Sequence, residues 1–222
     1  MKGLIEKLKG KTVLLFGEPA SGKSFTIAHL SRKLLEQTGK PGYLIWLDTN
    51  LFTDYGNQLE EYSKANIVKV TSADWLLRFK LPEIFKQEKF DYSLIALDSL
   101  SGLEEIVTKD EKVGSPRRNL LLSQTARILT YWLSRIAQKW NVPAFLIAHS
   151  SVVFEGSWRY GVKERPAFSR RAIKNVDCII YHKLKLVESG NGTVKNEIVW
   201  KVVLYRSLKE TIEGLEFSPL KE

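Results

Sequence analysis

The eight residues Gly17-Glu18-Pro19-Ala20-Ser21-Gly22-Lys23-Ser24 carry the densest chemistry in the chain, because they fit G-x-x-x-x-G-K-[ST], a loop that cradles phosphates. Glycines let backbone amides turn inward as an anion nest at a helix N-terminus. Lys23 is then placed to reach the β- and γ-phosphates of a nucleoside triphosphate, and Ser24 to ligate Mg²⁺. A nucleoside triphosphate and Mg²⁺ are therefore the expected ligands, with Phe25 counted as the last residue of the binding segment. A second metal-ligating candidate is Asp98, which closes the apolar run from Tyr92 to Leu97. A carboxylate at the end of a buried strand, well downstream of such a loop, can hold Mg²⁺ directly or through water. Two further polar clusters end apolar runs: Asp48-Thr49-Asn50 after Tyr43 to Leu47, and His149-Ser150-Ser151 after Ala144 to Ala148. Ligands of open α/β sheets sit beyond the carboxyl ends of the strands, so Asn50 and His149 join Lys23 and Asp98 as catalytic candidates. Turn formation is the plainer role of the first cluster, and structural burial that of the histidine.

These residues need a strand before the loop and a helix after it. Lys11 to Phe16 is a short apolar run suited to a buried strand, and Phe25, Ile27, Ala28, Leu30, Leu34 and Leu35 follow with helical spacing. A third strand is predicted over Asn66 to Val70. The helical stretch Ser72 to Lys89 places Trp75, Leu76, Phe79, Ile84 and Phe85 mostly on one face, expected to be core. Ser115 as N-cap and Pro116 at the first helical position open a long helix to about Trp140. Cys178 to Val187 and Asn196 to Tyr205 read as a β-hairpin around Ser189-Gly190-Asn191-Gly192, with Leu215 to Phe217 as an edge strand. The predicted fold class is α/β, a mostly parallel sheet flanked by helices and ending in an antiparallel hairpin. One domain is expected over 1–222, with 1–10 a short charged lead-in.

The chain of 222 residues has a net charge of +9 and a hydrophobic content of 44%. That composition suits a globular core, and the charge suits either a polyanionic partner or a solvated basic surface. Two stretches read as loops, 109–118 and 152–175. From 156 to 175, six basic residues (Arg159, Lys163, Arg165, Arg170, Arg171 and Lys174) are opposed by Glu164 alone. Trp158, Tyr160 and Phe168 are interleaved with them, a mixture suited to single-stranded nucleic acid, cations on phosphates and rings on bases. Arg117 and Arg118 extend the same expectation to the first loop. The lone Cys178 allows no internal disulfide and suits a reducing, cytoplasmic compartment, and no apolar run is long enough to cross a bilayer.

In order, the loop at 17–24, Leu47-Asp48-Thr49-Asn50, Leu97-Asp98-Ser99-Leu100, two basic loops and the terminal hairpin resemble the ATPase core of the RecA/RadA recombinases. The form most similar is a short archaeal RadA paralogue of the RadB type, and KaiC-like ATPases share this core. The resemblance implies a RecA-like P-loop fold, ATP hydrolysis, DNA contact through the two loops, a role in recombination or repair, and a recombinase or paralogue as protein partner. It also implies departures. Asn50 stands where many recombinases have a glutamate that polarises the attacking water, and an amide cannot take a proton, so slow hydrolysis is expected. Glu104 or Glu105 could substitute for that base. His149-Ser150 replaces an Asn-Gln sensor pair. The helix-hairpin-helix domain and polymerisation linker of full-length recombinases have no counterpart in the sequence; Phe25-Thr26-Ile27-Ala28 has that motif's spacing but falls in the loop's own helix. Two alternatives accompany this reading: a nucleotide-dependent protein that docks on another ATPase, and a KaiC-like signalling ATPase without DNA affinity.

Overall fold

The computed structural model describes residues 2–108, 115–152, 164–166, 174–188, 194–207 and 212–220. Its strands are β1 (Thr12–Gly17), β2 (Gly42–Trp46), β3 (Asn66–Lys69), β4 (Leu94–Asp98), β5 (Ala144–Val152), β6 (Glu164–Pro166), β7 (Cys178–Glu188), β8 (Val194–Tyr205) and β9 (Glu216–Phe217). All belong to one sheet in the order β3-β2-β4-β5-β1-β7-β8-β9, with β6 attached to β5. From β3 to β7 the strands run parallel, and β8 and β9 add antiparallel pairs at one side. The predicted mixture of parallel core and terminal hairpin is therefore present, with the turn at 189–193 outside the described residues.

Alternation along each strand divides the core into two faces. Val13, Leu15, Leu44, Leu94, Ala96, Phe145 and Ile147 pack against α1 (Lys2–Leu8), α2 (Lys23–Thr38) and α3 (Asp54–Ser63). Leu14, Phe16, Ile45, Ile95, Leu97 and Leu146 point the other way. They meet Leu76 and α5 (Leu81–Lys86), α6 (Leu100–Thr108) and α7 (Pro116–Trp140). Strands buried on both faces need near-continuous apolar sequence, and that made them legible. Parallel pairing aligns the carboxyl ends of β1, β2, β4 and β5, so their terminal polar residues converge at one edge.

Four local readings are corrected. The lead-in is the helix α1, which buries Leu4, Ile5 and Leu8 against the sheet. The stretch after Ser72 breaks phase: a three-residue α4 (Ala73–Trp75) runs into a π-helical turn, Leu76–Lys80, before α5. There the Leu81 amide bonds the Leu76 carbonyl five residues back, one residue before Pro82. Proline cannot accommodate a carbonyl four residues behind it, and the wider turn relieves that clash. The phase slip leaves Phe79 62% and Trp75 41% exposed, so neither is core. Third, where the two readings overlap at 116–118 the helix holds and the loop does not: Arg117 and Arg118 lie in the first turn of α7. Ser115 caps that turn by accepting from the Arg118 amide at 3.2 Å. Fourth, β5 runs through His149-Ser150-Ser151 to Val152 and pairs with β6, so Arg165 sits in a strand opposite Ser151.

Candidate functional site

At the carboxyl edge of the sheet a cavity of about 490 Å³ is lined by residues Pro19 to Ser24 with Asp48, Asn50, Leu51, Tyr55, Asp98, Ile147 and His149. Thus Lys23, Ser24, Asp98, Asn50 and His149, scattered through the sequence, share one space. Gly17, Glu18 and Phe25 do not line it. Phe25 instead packs on Tyr62 of α3, ring centroids 5.5 Å apart and nearly parallel.

The loop owes its shape to two left-handed residues, Ala20 at φ 57° and Gly22 at φ 88°. Gly22 caps α2 and, having no side chain, contributes no capping hydrogen bond to the opening amides of the helix. Beneath it Lys23 is buried, its ammonium donating to the carbonyls of Gly17 (3.1 Å) and Glu18 and to Ser21 Oγ (3.3 Å). The Ser21 hydroxyl itself donates to the Glu18 carbonyl at 2.7 Å. Loop and lysine brace each other, with the positive charge held at the floor.

Opposite stands Asp98, the last residue of β4, buried and hydrogen-bonded to Ser24. Burial pushes its carboxyl up to about 6; the Ser24 bond and the Lys23 charge oppose that, and Asp48 adds to it. Asp48 caps a 3₁₀ turn (Thr49–Phe52). Its Oδ1 accepts the Asn50 amide at 3.0 Å and the Asn50 side-chain amide at 2.9 Å. Asn50 is exposed, and its NH₂ group is committed to Asp48. His149 lies beside Gly17 in register, half-buried. Burial and then the Lys23 charge hold its pKa below the usual range, so the ring is mainly neutral at pH 7.

A hard-cation site formed by one hydroxyl and one carboxylate, facing an ammonium and a helix N-terminus, suits Mg²⁺ shared with phosphate oxygens. Ser24 and Asp98 have the oxygens such an ion takes, and Lys23 and the loop amides have the donors a triphosphate takes. Neither glutamate after Asp98 lines the cavity. Glu104 is bound by Arg118 at 2.8 Å, and Glu105 accepts from Thr49 at 3.4 Å.

Two residues near the loop escaped sequence reasoning. Tyr55, on α3, reaches the cavity from an element with no motif. His182, in β7, lies under the loop rather than in the cavity, its Nε2 2.8 Å from the Ser21 carbonyl. Of the basic residues predicted to bind DNA, Arg117, Arg118 and Arg165 belong to described elements. Trp158, Arg159, Tyr160, Lys163, Arg170 and Arg171 lie outside the described residues. A second cavity, about 350 Å³, sits at the opposite edge of the sheet between α1, α2 and the end of α7, away from these groups.

No family model matches the chain, and no curated protein matches its sequence. Among solved structures it is similar to a KaiC-like protein from the hyperthermophilic archaeon Pyrococcus horikoshii OT3. The two superpose with a TM-score of 0.55 at 17% identity, over 96% of this chain and 88% of the other. At that identity the likeness is one of fold, and the fold is the RecA-like α/β core with appended antiparallel strands.

Proposed function

We propose that this protein binds Mg-ATP in the cavity at residues 17–24 and hydrolyses it slowly. The observation that carries this reading is the convergence of Lys23, Ser24 and Asp98 on one space under the N-terminus of α2. In this reading Lys23 and the loop amides hold the β- and γ-phosphates, and Ser24 and Asp98 hold Mg²⁺. The ion supplies charge neutralisation between the phosphates when bound. Asn50 occupies the rim where a general base would stand, and its amide neither takes a proton nor is free to turn, being bound to Asp48. General-base assistance is worth ~10² to 10⁴-fold in rate, so its lack makes turnover slow.

The second half of the proposal concerns partners. The net charge of +9 and the run of basic and aromatic residues from 156 to 175 support binding of single-stranded DNA, in the manner of a recombinase paralogue that modulates recombination or repair. ATP turnover with and without single-stranded oligonucleotide tests both halves at once, stimulation being expected. Replacing Arg170 and Arg171 by alanine should weaken oligonucleotide binding and flatten its salt dependence. Absence of binding at low salt would remove the DNA role. The structural likeness to a KaiC-like protein favours one other reading, a signalling ATPase that forms nucleotide-dependent hexamers and ignores DNA. Sedimentation with and without Mg-ATP separates the two.

A further inference from the structure

The β7–β8 hairpin touches the phosphate loop through one fully buried pair, His182 and Trp200, which face each other in register. Trp200 Nε1 lies 3.0 Å from His182 Nδ1, and an indole N–H can only donate. His182 Nδ1 is therefore the acceptor and carries no proton. The ring's proton sits on Nε2, which donates to the Ser21 carbonyl at 2.8 Å. The hairpin backbone is equally close: a Cβ on Gly17 would fall 2.2 Å from the His182 carbonyl oxygen, so only glycine fits at the start of the loop. Ile198, also in β8, comes within 3.4 Å of the place a Cβ on Gly22 would take. Hairpin contacts thus meet the loop at its first glycine, its middle and its last glycine.

We propose that His182 is a positioning residue for nucleotide binding: held in one tautomer by Trp200, it fixes the Ser21 carbonyl and thereby the curvature that aims the loop amides at phosphate. This rests on the Mg-ATP reading above. The Ser21 carbonyl needs a partner because it faces a dry interior. Removing that partner leaves it unsatisfied and free to rotate the peptide away from the nest geometry. The ring touches no reacting atom, so its effect belongs to affinity rather than to the chemical step.

The test uses His182→Ala, His182→Gln and Trp200→Phe, with Mg-ATP titration, turnover, and hydrogen exchange of the free protein across residues 18–22. Glutamine places an amide donor near the Nε2 position. His182→Ala is expected to weaken Mg-ATP binding about 10-fold or more and to raise KM with kcat unchanged. It should also speed exchange across 18–22, and His182→Gln should recover most of each loss. Trp200→Phe removes the tautomer lock, so binding should fall about 3-fold and the acid limb of its pH profile should move to higher pH. Lys23 is the charged group acting on the ring there. If His182→Ala does not fold, the phenylalanine variant carries the decision. A folded alanine variant with wild-type affinity and exchange overturns the proposal, and so does a glutamine variant as weak as alanine. Failure of the wild type to bind Mg-ATP would instead sink the nucleotide reading, and with it the affinity role, whatever the exchange of the free loop shows.

Discussion

In the floor of the cavity Lys23 and Asp98 are buried and tied to the loop, whereas at the rim Asn50 and Tyr55 are exposed and Asp48 is spent on a turn. The floor is braced from three sides: Lys23 on two carbonyls and a hydroxyl, Ser24 on Asp98, and His182 on Ser21. The rim is bonded too, but its side-chain bonds are exposed: Asp48 holds both amides of Asn50, and the Thr53 hydroxyl donates to the Asn50 carbonyl. Preorganised polar groups in a dry site hold charge strongly, while exposed ones are screened by water and reorganise. The difference supports the proposal that the site binds Mg-ATP and hydrolyses it slowly.

The largest expected effect would break that contrast. Asn50→Glu supplies a carboxylate where the rim lacks a base, and single-turnover hydrolysis should rise by ~10²-fold or more with Mg-ATP affinity little changed. An unchanged rate would show that the rim lacks more than a proton acceptor.

A smaller effect sharpens the account of the floor. Burial holds the His182 pKa down to about 4, against 6.5 in the unfolded chain. Between those values the unfolded state takes up a proton that the folded state refuses. Stability from this residue is therefore complete above pH 6.5 and is lost as pH falls toward 4, by about 3 kcal/mol in all. Urea denaturation of wild type and His182→Gln at pH 7.5 and 4.5 measures it. The acid loss should be larger in the wild type by roughly that amount, and parallel losses would contradict the buried neutral ring.

The smallest effect lies outside the cavity. Arg118→Ala removes a partly exposed ion pair with Glu104 and should lower stability by less than ~1 kcal/mol. Hydrolysis should be unchanged, because the freed Glu104 does not line the cavity; an increase would reveal a replacement base.

The sequence made the loop, Asp98, the doubly buried strands and the capped start of α7 legible because each has a local signature. Pattern could not show the phase slip before Pro82, since the π-helical turn changes which residues face inward without changing composition. Nor could it find β6, three residues long and defined only by its partner in β5. His182 stood in a run that alternates like any strand, and its partners Ser21 and Trp200 are distant in sequence or on another strand. Its role follows from the register of β7 on β1 and of β8 on β7, which no local signal carries. Asn50 was visible as a missing base, but its bond to Asp48 was not.

The central claim is that the floor binds Mg-ATP through Lys23. Calorimetric titration of Mg-ATP into the wild type and Lys23→Ala tests it directly. Saturable binding by the wild type, weakened about 100-fold or more in the variant, is the predicted result for loss of a buried charge-assisted phosphate contact. Equal affinity in the two proteins, or no binding by either, would contradict it.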